Sequence, residues 1–172
     1  MSDYATIPLE VVESATSCRF FIPGLPRPGG SKRGFVVRER AVITEDCKTS
    51  KDWRAVCALK ADELWRSAPP LSGPIAVYFD FLMPRPKGHL RKDGSVRPGA
   101  PAYPTVKPDV TKLIRSTEDA LSRIIWRDDC IIVRQVANKL YTLKTPGCWV
   151  TIFFDILETP LQPFGLTYSP DV

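Results

Sequence analysis

Histidine occurs once in this chain, as His89, and methionine twice. A single histidine removes most Ser-His and Cys-His hydrolase schemes. The five cysteines (Cys18, Cys47, Cys57, Cys130, Cys148) are odd in number and scattered, with no C-x-x-C pair. Neither a structural zinc site nor a disulfide framework is expected from such a set, and buried or idle thiols are the plainer reading. Long apolar runs are missing too. The longest, Ile75–Met83, is interrupted by Asp80 and falls well short of the roughly 20 residues of a membrane span. The opening Met-Ser-Asp-Tyr has neither a basic nor an apolar signal region, so a cytoplasmic protein is expected. No membrane partner and no organic cofactor are expected. Any hydrolytic chemistry must run on carboxylates, with a hard metal ion to assist them.

What is present is an ordinary globular composition. The 172 residues are 44% hydrophobic and 25% charged, enough for one domain with a core and too few for two. The formal charge of +5 is unevenly spread. Eight basic residues face two acids between Arg85 and Arg115, and five face one between Pro26 and Arg40. The remainder is net acidic. Two basic segments rich in glycine and proline suggest a phosphate-binding footprint. Solvated loop charge is the plainer alternative.

Residues 1–17 read as a loose acidic leader, 18–157 as the folded domain and 158–172 as a proline-containing tail. A first strand is expected at Cys18–Ile22, and Leu25–Arg33 as a loop broken by glycine and proline. A hairpin follows at Phe35–Val37 and Ala41–Thr44. A helix is expected over about 50–67, with Trp53, Val56, Cys57, Leu64 and Trp65 on its buried side. Residues 74–83 form the strongest strand pattern, and 84–106 a loop long enough to be functional. A second helix starts near Pro108; Val110, Leu113, Ile114, Thr117, Ala120, Leu121 and Ile124 fall within about 120° of arc. Strands are expected near 136–143 and 148–156. The order predicts an α+β fold: a small mixed or antiparallel sheet packed with two main helices.

The chemistry concentrates in Lys107–Asn138. Asp109 opens the second helix, where an acid suits the dipole and also suits simple capping. Asp128-Asp129 follow the helix, immediately before a strand; a solvated turn is their plainer reading. Asp119 is placed to pair with Arg115 or Arg123 at helical spacing. Trp126 reads as helix-end core. His89 sits in a basic loop with no catalytic role assigned.

Lys107-Pro108-Asp109, Leu113, Asp119-Ala120-Leu121 and Asp128-Asp129 resemble the RusA family of Holliday-junction resolvases, whose block reads K-P-D-x-D-N-L-x-K-x-x-x-D-A-L and then D-D. Phe21-Ile22-Pro23-Gly24-Leu25-Pro26 with Gly30-Ser31-Lys32-Arg33 is similar to that family's first strand and basic loop. The resemblance spans roughly residues 18–157. It implies a homodimeric, Mg²⁺-dependent endodeoxyribonuclease (Mn²⁺ substituting) that cuts branched DNA in recombination or repair, in a bacterial or phage-encoded, nucleoid-associated setting. It implies Asp109 and Asp129, with Asp128 beside them, as metal ligands and Arg115 as the catalytic cation. Lys32, Arg33, Arg91, Lys92, Lys107 and Lys112 become the expected DNA contacts.

Two positions depart from the pattern. Thr111 replaces the second acid of D-x-D, removing an anionic ligand, and Arg115 replaces the helical lysine. Arginine can grip a phosphate bidentately but cannot usefully donate a proton. Asp128, Asp119 and Glu118 are candidates to stand in for the missing acid. A junction-binding protein that cuts weakly or not at all is therefore the alternative reading.

Overall fold

A computed structural model describes residues 16–29, 32–37, 40–45 and 50–154. The leader up to residue 15 and the tail lie outside the described residues, as do Gly30 and Ser31. Strand β1 is Thr16–Pro23, β2 Lys32–Val37, β3 Arg40–Glu45, β4 Ile75–Pro84, β5 Ile132–Thr142 and β6 Gly147–Phe154; the helices are α1, Ser50–Trp65, and α2, Val110–Leu121.

The main sheet has the order β1-β6-β4-β5. β6 pairs antiparallel with β1 and β4, whereas β4 and β5 are parallel. This is the expected mixed sheet with two helices. A parallel pair cannot be joined by a tight turn, so the chain between β4 and β5 crosses over through the long loop and α2. β2 and β3 form a separate two-stranded ribbon. Here the expectation changes: Lys32 and Arg33 belong to β2, not to the preceding loop, because Glu45 and Thr44 extend the ladder to meet them.

The core lies between one face of the sheet and the helices. Side chains alternate along a strand, so Val77, Phe79 and Phe81 of β4 share that face with Cys148, Val150 and Ile152 of β6. Against them pack Leu113, Thr117 and Leu121 of α2 and Trp53, Cys57 and Ala61 of α1. The two helices are also joined directly. Trp53 Nε1 donates to Thr117 Oγ1 at 3.1 Å, and that hydroxyl donates to Leu113 O at 3.0 Å.

The buried stripe of α1 is the i, i+4, i+8 series Trp53, Cys57, Ala61. Val56, rotated about 60° from Trp53 and away from the other two, is exposed, and Leu64, in the last turn, is exposed as well. Along α2 the expected face is buried through Leu121. Ile124 lies past the helix, because the chain turns at Ser122 and Arg123, whose φ is 68°. Trp126 is fully buried at that end, as its sequence context suggests. Among the described residues, Cys18, Cys57, Cys130 and Cys148 are free thiols. No helix among them is long and apolar enough to cross a membrane.

Candidate nucleic-acid interface

A cleft of about 500 Å³ opens at the N-terminus of α2. Three segments converge on it: the loop after β1, the end of β4 with the long loop that follows, and the first turn of α2. The first is tied down by Gly29 N–H, which donates to Lys112 O at 2.9 Å. The Cβ of any other residue at 29 would stand 3.8 Å from both Lys112 O and Ser116 Cα, an ordinary contact, so the close approach itself does not demand glycine. The walls are stiffened by Pro26, Pro28, Pro84, Pro86, Pro104 and Pro108, and Arg27, Lys107, Lys112 and Lys139 bring positive charge. This is the carboxyl end of the parallel pair β4–β5, where ligands of open α/β sheets characteristically bind.

Asp109 stands in this cleft. It occupies the capping position of α2 in extended conformation, yet its carboxylate caps no N–H. Only its backbone oxygen does so, accepting from Leu113 N at 3.2 Å. The carboxylate instead lies 3.8 Å from Lys112 Nζ, both side chains more than half exposed, a pair of little energetic weight. A side chain that stabilises so little is free for another use. Lys139, on β5, closes the other side; its ammonium donates to Val106 O and Pro108 O, each at 2.8 Å, and anchors the segment that enters α2.

The remaining acids are elsewhere. β5 runs antiparallel to α2: Gln135, near its start, donates to Glu118, whereas Lys139, near its end, reaches Pro108. Asp128 and Asp129 precede β5 and so belong to the far end of α2, a helix of 12 residues and about 18 Å. Asp128 accepts from Cys130 N–H at 2.9 Å, which holds its carboxyl below the usual range. Asp129 accepts from Trp126 Nε1 at 2.8 Å. Asp119 pairs with Arg54 of α1 at 3.6 Å rather than with Arg115 or Arg123, because the packing of the two helices brings the guanidinium to it. Glu118 is the perturbed member. Burial first, then the charges of Asp129 and Asp119, push its carboxyl up to about 7, against the opposing hydrogen bond from Gln135.

Thus the structure joins Asp109 with Lys107 and Lys112, and Asp129 with Glu118, but it does not bring Asp109 to Asp129 within one chain. Among the described residues no three His, Cys, Asp or Glu side chains gather to hold a metal ion. The donor set expected for Mg²⁺ does not fit a single copy of this chain. Arg115 is exposed on α2 between the two groups.

The basic segments also divide. Arg91 and Lys92 are exposed on a tight turn, where Asp93 accepts from Ser95 N–H and Oγ–H, and they do not line the cleft. Two other loop cations are structural. Arg97 Nε donates to Leu90 O at 2.8 Å, and Arg85 donates to Pro101 O at 2.9 Å while lying 4.7 Å over the Tyr141 ring. For Lys32 and Arg33 the structure defines only their place on β2. Sequence reasoning missed Lys139 and Tyr141 as parts of the site; an isolated lysine in an apolar strand was the available signal.

The site is thus a cationic, proline-walled cleft at a helix start, carried by a mixed sheet with both helices on one face. The family model described as "Endodeoxyribonuclease RusA" matches residues 23–153, and the chain belongs to that family. It is also similar to the Bacillus subtilis (strain 168) protein named "Uncharacterized protein YqaN", with 29% identity over 126 residues, covering 72% of this chain and 87% of that protein.

Proposed function

We propose that this protein is a structure-specific endodeoxyribonuclease that recognises branched DNA, Holliday junctions in particular, through the cleft at the start of α2. Membership of an endodeoxyribonuclease family supports the reaction class. The observation that carries the assignment to this cleft is Asp109, a carboxylate that caps nothing, set among Arg27, Lys107 and Lys112 at the carboxyl end of a parallel strand pair. Cations there neutralise phosphates and release counterions, giving affinity that falls with salt. Lys32, Arg33, Arg91 and Lys92 extend the contact beyond the cleft in this reading.

The protein acts as a homodimer, since two symmetric cuts on a four-way junction need two sites. Mg²⁺, or Mn²⁺ in its place, is the proposed cofactor. Because Asp109 and Asp129 lie at opposite ends of α2, the acids that share it come from two copies. Recombination or repair in a bacterial or phage setting, in the cytoplasm at the nucleoid, is the proposed context.

A second reading, a junction-binding protein that does not cut, is favoured by Thr111 and by the divided acids. Incubation of a synthetic four-way junction with Mg²⁺ or Mn²⁺ separates the two. The nuclease reading expects cutting by the wild type and loss of it in Asp109→Asn with binding retained. If wild type and Asp109→Asn both bind and only Thr111→Asp cuts, the native chain is a binder.

A further inference from the structure

The cleft is larger and more apolar than phosphate binding requires. Its volume of about 500 Å³ falls in the range of small-ligand sites, roughly 300–1,000 Å³. A backbone crossing a cationic surface needs no such volume. Met83, Pro104 and Tyr141 are buried in the cleft, and the Tyr141 ring lies 4.7 Å under the Arg85 guanidinium and meets the His89 ring edge-to-face, with 5.4 Å between ring centroids. Its rim is unusual. Leu25 and Val106, both lining the cleft, are 36% and 63% exposed. Each is followed closely by proline, at Pro26 and Pro108. These side chains contribute nothing to the core, and they stand beside Arg27, Lys107 and Lys112.

We infer that this cleft receives one unstacked nucleotide of the DNA strand, its base against Leu25 and Val106 and its phosphate against Arg27, Lys107 and Lys112. The chemistry on both sides matches. A base offers a flat apolar face to aliphatic and proline walls, and its own phosphate brings negative charge to a rim where, among the described residues, Arg27, Lys107 and Lys112 share only the Asp109 carboxylate. Branch points are where this is cheapest, because the unpaired or frayed base has the least stacking to lose. An apolar peptide would bring no negative charge to these three cations, which have only Asp109 beside them among the described residues. The inference rests on the proposed recognition of branched DNA and specifies what that recognition grips.

The test uses the full chain, EDTA to prevent cutting, and a four-way junction carrying 2-aminopurine at the branch point, whose emission is quenched by stacking. Saturating wild-type protein is expected to raise emission severalfold, with no rise when the probe is placed within an arm. Leu25→Ser/Val106→Ser is expected to abolish the rise while binding keeps its salt dependence, which also shows that the variant is folded. Val106→Trp, filling the cleft from an exposed position, is expected to do the same. Salt-dependent binding without any rise at the branch point, or a rise undiminished in both variants, overturns the nucleotide pocket and leaves junction recognition standing. Absence of wild-type binding overturns the recognition reading, and the pocket with it.

Discussion

Glu118 offers the most direct quantitative test of the carboxylate geometry. Its carboxyl is raised from an ordinary 4.5 to about 7 by burial and by Asp129 and Asp119. At 1.36 kcal/mol per pH unit that rise bounds the effect at about 3 kcal/mol. The side chain is only half-buried, and screening reduces the working figure to about 1–2 kcal/mol. The direction follows from proton binding. Around pH 5 to 6.5 the folded state keeps the proton that the unfolded chain has released, so this group's stabilisation is full below pH 4.5 and is lost as pH rises through 7. Glu118→Gln replaces the acid by a permanently neutral group of the same shape.

Near pH 5, where the folded-state carboxyl is already protonated, the substitution is expected to be close to neutral. At pH 8 it removes a half-buried negative charge beside two others and is expected to stabilise by about 1–2 kcal/mol. For a chain of this size that is roughly 3–6 °C in Tm. Thermal denaturation of both proteins at pH 5 and pH 8, in EDTA, measures the difference. An identical Tm difference at the two pH values would refute the clustering of Glu118 with Asp129 and Asp119. Asp129→Asn supplies the companion measurement, because removing that charge should move the midpoint of the Glu118→Gln advantage to lower pH.

Gly147→Ala should destabilise strongly, by about 3 kcal/mol, because a Cβ there meets the Phe21 ring and the Ile22 carbonyl oxygen, so that ring and backbone must both move; urea denaturation checks it. Lys139→Met keeps the bulk but removes two donated hydrogen bonds to the entry of α2. A loss of about 1–3 kcal/mol in stability and weaker junction binding are expected, by denaturation and titration. The triple variant Arg27→Ala/Lys107→Ala/Lys112→Ala should lower the slope of log affinity against log salt by about 3 in a binding titration, with Tm nearly unchanged because these side chains lie at the cleft.

The features legible in the sequence are those with a local period. The apolar face of α2 and the central strand β4 follow from spacing alone, and both emerge where expected. The limits lie where a partner decides. Lys32 and Arg33 read as loop because glycine and basic residues surround them, and only pairing with Glu45 and Thr44 makes them strand. Arg85 and Arg97 count as footprint charges in the sequence but are engaged by loop carbonyls sixteen and seven residues away. Asp119 has helical neighbours of opposite sign, yet Arg54, on another helix, reaches it. For the site the same distinction holds. Asp109 and its neighbouring lysines are consecutive enough to be read together. Whether Asp129 joins them depends on the direction in which β5 passes α2, and nothing local encodes that.

The topology makes this direction compulsory, and it leads to a final prediction. A parallel β4–β5 pair joined through α2 sets the helix start at the carboxyl ends of the strands and its end at the entry of β5. Asp109 therefore marks one end of the crossover and Asp129 the other, in every copy. If cutting needs both acids, a two-fold dimer must supply one from each subunit to each site. Mixing Asp109→Asn with Asp129→Asn, under conditions of subunit exchange, then gives mixed dimers with one site doubly altered and one intact. Random pairing leaves about a quarter of all sites intact. Two separately inactive proteins should therefore regain roughly a quarter of the wild-type rate of strand cutting on a four-way junction, with single nicks exceeding paired cuts. Were the two acids to act within one chain, every site in the mixed dimer would lack one of them and mixing would restore nothing.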